Sequence, residues 1–183
     1  PAITVWPESA LPRPFHDPAH ADFFRAIFNA GAETLITGCD ARTAEGAGSE
    51  DWNDHNCAAL IHREPDNFFL HAKVHLVPFG EYIPLRRRLP FLESMLGHLI
   101  PTDFAPGTSL EPLQAEGMAC QIIPLVCFED TIAGLAREFV RDRPQLMVNV
   151  TNDNWFLNSN ESAIHALNAR WRCLELRRPM VRA

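Results

Sequence analysis

Four things are scarce in this sequence. No apolar run approaches the roughly 18 residues that a membrane-spanning helix needs, and no basic-then-apolar leader opens the chain. No C-x-x-C pair occurs among its five cysteines, Cys39, Cys57, Cys120, Cys127 and Cys173. That spacing and the odd count argue against a disulfide framework or a zinc knuckle and leave at least one thiol free. Positive charge is short as well. The net charge of −7 excludes the basic face that a protein tracking nucleic-acid phosphates requires.

The fourth scarcity is more specific. Of sixteen basic residues only Lys73 is a lysine. A background preference for arginine explains the others but not the exception. An ammonium is compact and its pKa can be shifted, which a guanidinium cannot offer. Lys73 is therefore a candidate for chemistry.

What is present is a globular composition, 46% apolar and 21% charged, in 183 residues. A chain of that length makes one domain able to bury roughly 70% of its unfolded surface. Pro1-Ala2-Ile3-Thr4-Val5 and Met180-Val181-Arg182-Ala183 both read as strands cut short. Residues 1–183 are accordingly expected to be a partial domain, with any anchoring segment outside it.

Along the chain, residues 2–6 read as a buried strand. Asp17 and Pro18 read as the start of a helix with the apolar face Phe23, Phe24, Ile27 and Phe28, ended by Gly31. Short strands are expected at 34–37, 57–61 and 68–74, with a polar loop at 41–54 and a hairpin turn at 63–67. The stretch 84–106 is irregular and proline-punctuated. Beyond it, 120–126 and 145–150 read as strands, and 129–140 and 161–178 as helices. In the last helix Ile164, Leu167, Trp171 and Leu174 recur at helical spacing. Strands alternating with helices, but including a hairpin, predict an α/β layered fold on a mixed sheet.

Three reactive residues sit where apolar strands end: Glu8 after Ile3-Thr4-Val5-Trp6-Pro7, Lys73 after Phe69-Leu70-His71-Ala72, and Cys127 after Gln121-Ile122-Ile123-Pro124-Leu125-Val126. Each alone has an ordinary reading, as a solvated turn acid or a core thiol. Together they suit covalent acyl chemistry. A thiol needs a base or a cationic neighbour to attack, and a carboxylate in a dry pocket can take its proton. The resulting oxyanion wants fixed donors, which an ammonium and the backbone N–H of Phe128 would supply. A helix opening at Phe128 would add its positive end beside the sulfur.

Glu, Lys and Cys in that order resemble the catalytic triad of the nitrilase (carbon–nitrogen hydrolase) superfamily. The surrounding segments look most like its apolipoprotein N-acyltransferase branch. Trp6-Pro7-Glu8-Ser9-Ala10-Leu11-Pro12 is similar to the motif around the Glu. Lys73-Val74-His75-Leu76-Val77-Pro78-Phe79-Gly80-Glu81-Tyr82-Ile83-Pro84 is similar to the Lys motif, and Val126-Cys127-Phe128-Glu129 to the nucleophile motif. Asn152-Asp153-Asn154-Trp155-Phe156, His165 and Arg178-Pro179-Met180-Val181-Arg182-Ala183 resemble the segment that follows. Two departures stand out: Phe128 where the branch commonly has Tyr or another aromatic, and Asn158-Ser159-Asn160-Glu161-Ser162-Ala163 where it usually has a Gly-Pro-type pair.

The resemblance implies an α-β-β-α sandwich with mixed sheets, incomplete here at both ends. It implies acyl transfer through a thioester on Cys127, with Glu8 as base, Lys73 as oxyanion partner and Glu81 beside the lysine. Trp155, Phe156 and Glu129 are the expected substrate contacts. No cofactor or metal is called for. The implied partners are a phospholipid acyl donor and an apolipoprotein acceptor, and the implied location is the bacterial inner membrane, on its periplasmic side. Residues 85–100, where Arg86-Arg87-Arg88 precedes Leu89, Phe91, Leu92, Met95, Leu96, Leu99 and Ile100, are expected to form a lid at the bilayer surface. A soluble amidase or carbamoylase with the same triad is the alternative, and a catalytically dead binding domain is a third reading.

Overall fold

Two stacked sheets with helices on their outer sides form the computed structural model. It describes residues 3–44, 52–63, 68–86, 88, 89, 91, 94, 95, 97, 98, 100–114, 117–157 and 159–183. The first sheet has strand order β1-β2-β3-β4, formed by Ile3–Val5, Thr34–Ala44, Trp52–His62 and Phe68–Ala72. β1 runs parallel to β2, whereas β2–β3 and β3–β4 are antiparallel. In the second sheet β5 (Gln121–Val126), β6 (Gln145–Val150) and β7 (Met180–Arg182) pair in parallel, and Leu113 adds an antiparallel bridge to Ile122 on β5. The expectation of mixed sheets holds among the strands of the first sheet, and the Leu113–Ile122 bridge gives the second an antiparallel element too. Helices α1 (His20–Asn29), α2 (Ala133–Glu138) and α3 (Glu161–Leu176) complete the layers.

Alternation along the strands assigns the layers. On β2, Leu35, Cys39 and Ala41 face Phe24 and Phe28 of α1, while Ile36 faces the other sheet. Between the sheets Ile36, Ala58 and Leu60 meet Ile122, Val126, Val148 and Val150. On the far side Ile123, Leu125 and Met147 pack on Leu135, Ala136 and Phe139. Strand directions then place the chemistry. Two antiparallel steps make β4 parallel to β1, so both strands end at the same edge of their sheet.

Several expected elements differ. The described residues of the expected polar loop at 41–54 are strand, because polar residues pair across the ladder. Arg42 and Asp54 form an ion pair at 2.5 Å and Thr43 bonds the His55 ring at 2.9 Å. The part of that loop at 45–51, and 64–67 of the hairpin turn, lie outside the described residues. In place of one helix at 129–140 there is a 3-10 turn, Cys127–Thr131, followed by α2. On α3 the apolar stripe Ile164, Leu167, Trp171 and Leu174 is exposed. The buried positions are His165 and Ala169, followed on the same face by Cys173 and Leu176. A small residue and a histidine carry little hydrophobic signal, so the sequence points to the wrong face.

Arg86 does not reach outward. Its guanidinium donates to the carbonyls of Ile100 and Pro101 and pairs with Asp103 at 3.0 Å, closing the base of the 84–100 excursion. Arg87, Leu92, Leu96 and Leu99 of the expected lid lie outside the described residues.

His71 on β4 carries a pH dependence. It is 1% exposed, packs edge-on against Phe139 at 5.4 Å, and neither ring nitrogen has a partner among the described residues. Burial pushes its pKa down from 6.5 to about 4. Below pH 6.5 the unfolded chain gains a proton that the folded one refuses, so stability falls between those values. By pH 5 the loss is on the order of 2 kcal/mol. His165 acts with the opposite sign, because its folded pKa is raised. Replacing His71 with Leu, and leaving His165 in place, should therefore flatten the fall in urea midpoint between pH 7 and 5. Parallel curves for parent and His71→Leu would locate the acid sensitivity elsewhere.

Candidate active site

Past β1 the chain crosses over β2 at backbone contact. Gly38 N–H donates to the Pro7 carbonyl at 3.0 Å, and a Cβ on Gly38 would lie 2.3 Å from Glu8 Cα. Only glycine permits that approach. It delivers the buried Glu8, whose Oε1 accepts from Asn56 Nδ2 at 2.7 Å and whose Oε2 accepts from Asn152 N–H at 3.0 Å. Asn56 also donates to Glu81 Oε1 at 2.8 Å, so one amide joins the two carboxylates.

Lys73 is the first residue beyond β4. Its N–H donates to the Asn56 carbonyl at 2.8 Å, and its own carbonyl accepts from Gly107 N–H at 2.7 Å. A Cβ on Gly107 would meet the Ala72 carbonyl oxygen at 2.1 Å. The Lys73 side chain is 1% exposed, and its Nζ lies 2.9 Å from each oxygen of Glu81. Val77 N–H donates to Glu81 Oε2 at 2.8 Å and fixes the carboxylate. A buried cation with one bidentate partner is a tightly specified arrangement.

Cys127 follows β5 with φ of 51°, a left-handed conformation that is strained for a residue with a Cβ. Asn149 Nδ2 holds the strained turn by donating to the carbonyls of Cys127 at 3.0 Å and Leu125 at 3.3 Å. Glu129 is fully buried, and its carboxylate accepts from Val126 N–H, Val74 N–H and His75 N–H. Glu129 therefore ties the lysine segment to the cysteine strand. Glu129, expected from the sequence to contact substrate, is not among the residues lining the cavity, and its carboxylate is taken up by backbone N–H groups. His165 does similar work one layer out, with Nε2 2.9 Å from the buried Asp130 and Nδ1 3.1 Å from Asp153. Burial opposes its charge, but those two carboxylates outweigh it and raise its pKa.

Glu8, Lys73, Glu81 and Cys127 line one cavity of about 350 Å³, with Phe104, Phe128, Trp155 and Phe156 as its apolar wall. Of the residues expected from the sequence, all but Glu129 are brought together here. The sequence reading missed Asp40 and Asn56, also on the cavity, and the two glycines beneath the crossings. The available signal was Asn56, a polar residue at the head of the apolar run Cys57–Ala58–Ala59–Leu60–Ile61.

The thiol of Cys127 is pushed up to about 11, first by burial and then by the Glu8 carboxylate, against the pull of Lys73 and a bond with Thr151. The sulfur rests protonated. The 3-10 turn is too short to supply the helix-end field expected at Phe128, so deprotonation falls to a base. No group of three or more His, Cys, Asp or Glu that could hold a metal occurs among the described residues.

Comparison with known proteins agrees with this architecture. The Carbon-nitrogen hydrolase family model matches residues 2–183. An apolipoprotein N-acyltransferase from Geobacter metallireducens is 35% identical over 182 residues, covering 99% of this chain and 34% of that protein. One from Methylococcus capsulatus is 34% identical over 189 residues, again covering 99% and 34%. The chain thus spans about a third of the length of these curated relatives. Among solved structures, a mutant Nesterenkonia amidase from the nitrilase superfamily superposes with a TM-score of 0.63 at 17% identity, over 100% of this chain and 63% of that one. A carbon–nitrogen hydrolase from Helicobacter pylori gives 0.60 at 14% identity, over 99% and 60%. At those identities the structural likeness concerns the fold.

Proposed function

This chain belongs to the carbon–nitrogen hydrolase family, and on that premise we propose that it is the catalytic domain of a lipoprotein N-acyltransferase. The observation that carries the reading is the convergence of Glu8, Lys73 and Cys127 on one apolar-walled cavity. In the first half-reaction Glu8 takes the Cys127 proton as the sulfur attacks a phospholipid ester carbonyl. The oxyanion is held by the Lys73 ammonium and the Phe128 N–H. The C–O bond then breaks, and the leaving alkoxide takes the proton from Glu8, freeing a lysophospholipid. In the second half the N-terminal amine of an apolipoprotein attacks the thioester. Glu8 passes the amine proton to the departing sulfur, and an amide is formed. A thiol protonated at rest suits this scheme, because the proton moves only as the carbonyl is attacked.

A soluble amidase would use the same triad with water as acceptor. The surface favours the lipid reading. Phe79, Leu85, Phe91, Met95, Trp155 and Leu157 are all exposed, Trp155 by 76% and Leu157 by 87%. Such apolar side chains, with a lipid donor, fit work at the periplasmic face of the inner membrane. No helix among the described residues is long and apolar enough to cross a membrane.

The test pairs Phe91→Ser with Met95→Ser in the full-length protein and offers two acyl donors. Transfer from phospholipid vesicles should fall at least about tenfold, the equivalent of one lost apolar insertion. Hydrolysis of a short soluble thioester should change little. Equal loss on both donors would make the two side chains folding residues, and no loss on either would favour the amidase.

A further inference from the structure

The β2–β3 register sets Asp40 directly opposite Asn56, so their side chains share one face, and that face opens on the cavity. The orientation of Asn56 is fixed by chemistry. Its Nδ2 serves Glu8 at 2.7 Å and Glu81 at 2.8 Å, and carboxylates accept only. Asn56 Oδ1 is therefore turned the other way. It is buried, in a residue 5% exposed, and has no hydrogen-bond partner among the described residues. An unfilled acceptor at such depth is costly unless something arrives to fill it.

Asp40, an exposed residue on the same face of the ladder, adds a second acceptor at the cavity rim. Its backbone carbonyl takes Phe15 N–H at 2.7 Å, but its carboxylate has no bond or ion pair among the described residues. The nearest guanidinium on its strand, Arg42, is occupied by Asp54. Partial burial of this exposed residue's carboxyl first, then the charges of Asp54, Glu8 and Glu81, raise its pKa. Within the cavity Glu8, Asp40 and Glu81 oppose one cation, Lys73, which Glu81 already holds. Two adjacent acceptors in surplus negative charge call for a cationic ligand with several N–H donors. An aliphatic ammonium has three.

We propose that Asp40 and Asn56 Oδ1 form an ammonium subsite that captures the protonated N-terminal amine of the acyl acceptor. The inference rests on the acyl-transfer reading above. The position is apt, since the same Asn56 amide touches Glu8, the base for the second half-reaction. The bound ammonium first loses one proton to solvent by way of Asp40. Its freed lone pair attacks the thioester carbonyl, a second proton passes through Glu8 to the sulfur, and the C–S bond breaks. Products are the amide, the Cys127 thiol and one released proton. Asp40 thereby selects cationic amines over neutral nucleophiles such as water.

The experiment uses the full-length enzyme with phospholipid vesicles as donor. Acyl-Cys127 is first quantified by mass spectrometry. It is then discharged either by a synthetic diacylated lipopeptide with a free N-terminal amine or by hydroxylamine, which is neutral at pH 7. For Asp40→Asn the KM for the lipopeptide should rise about tenfold or more, as for loss of one charge-assisted bond. Thioester formation and hydroxylamine discharge should stay within about twofold, and Asp40→Glu should recover part of the lipopeptide KM. An unchanged lipopeptide KM would make Asp40 a solvated rim carboxylate and overturn the subsite. Equal losses in all three measurements would overturn it too, in favour of a folding role. Absence of an acyl group on Cys127 in the parent enzyme would instead sink the acyl-transfer reading itself.

Discussion

Cys127→Ala in the full-length protein should abolish acyl-enzyme formation, with no acyl group detectable by mass spectrometry after exposure to phospholipid. Cys127→Ser should be equally inactive, because the hydroxyl is a far weaker acid than a thiol and Glu8 cannot draw its proton. The other four thiols make the experiment decisive. Cys39 and Cys57 are buried in the outer core, and burial pushes the Cys57 thiol up to about 12. Neither opens on the cavity. Cys120 and Cys173 are partly exposed and are the more demanding controls. Alanine at any of the four should leave acylation intact. An acyl group found on one of them, with Cys127 unmodified, would refute the assignment of the nucleophile.

The second large effect concerns charge placement. Lys73 Nζ sits 2.9 Å from each Glu81 oxygen with its side chain 1% exposed, and a planar guanidinium cannot occupy that point. Lys73→Arg should cost at least about 10²-fold in turnover, the scale of one lost oxyanion donor. Glu8→Gln should be as severe, for two reasons that compound. It removes the proposed base, and it introduces a second amide where both existing partners are donors, Asn56 Nδ2 and Asn152 N–H. Only one side-chain oxygen remains to serve them, so one N–H is left facing another. Near-parent turnover by Lys73→Arg would mean that net charge alone suffices at that site.

The reactive residues were legible in the sequence because each type stands where a strand ends. Parallel and twice-antiparallel strand directions bring such ends together. The layered α/β fold followed from the alternation of strands and helices, and solved structures of the same fold bear it out. Other features were hidden for physical reasons. Residues 41–44 and 52–54 look like loop because their polar side chains satisfy one another across a ladder rather than alternating with apolar ones. The inward face of α3 was obscured by His165 and Ala169, while its hydrophobic stripe faces outward. Glu129 looked like a site residue because it neighbours Cys127. Two of its three backbone bonds span 54 and 55 residues, which no local reading can detect. Asp40 and Asn56 lie on different strands, so their adjacency exists only in the register.

Gly38 and Gly107 limit how this protein can change over generations. At both positions the nearest atoms to an added Cβ belong to backbone, Glu8 Cα in one case and the Ala72 carbonyl in the other, so no side chain can swing aside. Every amino acid other than glycine carries that carbon. Any single-codon replacement at position 38 therefore pushes on the segment bearing the carboxylate, and any at 107 pushes on the segment bearing the ammonium. The cavity wall is free of this limit. Phe128 and Trp155 project from turns into open space, 47% and 76% exposed, and can be exchanged without moving either crossing. Descendants of this chain can thus diverge widely at the cavity wall while inheriting one unaltered placement of Glu8 and Lys73.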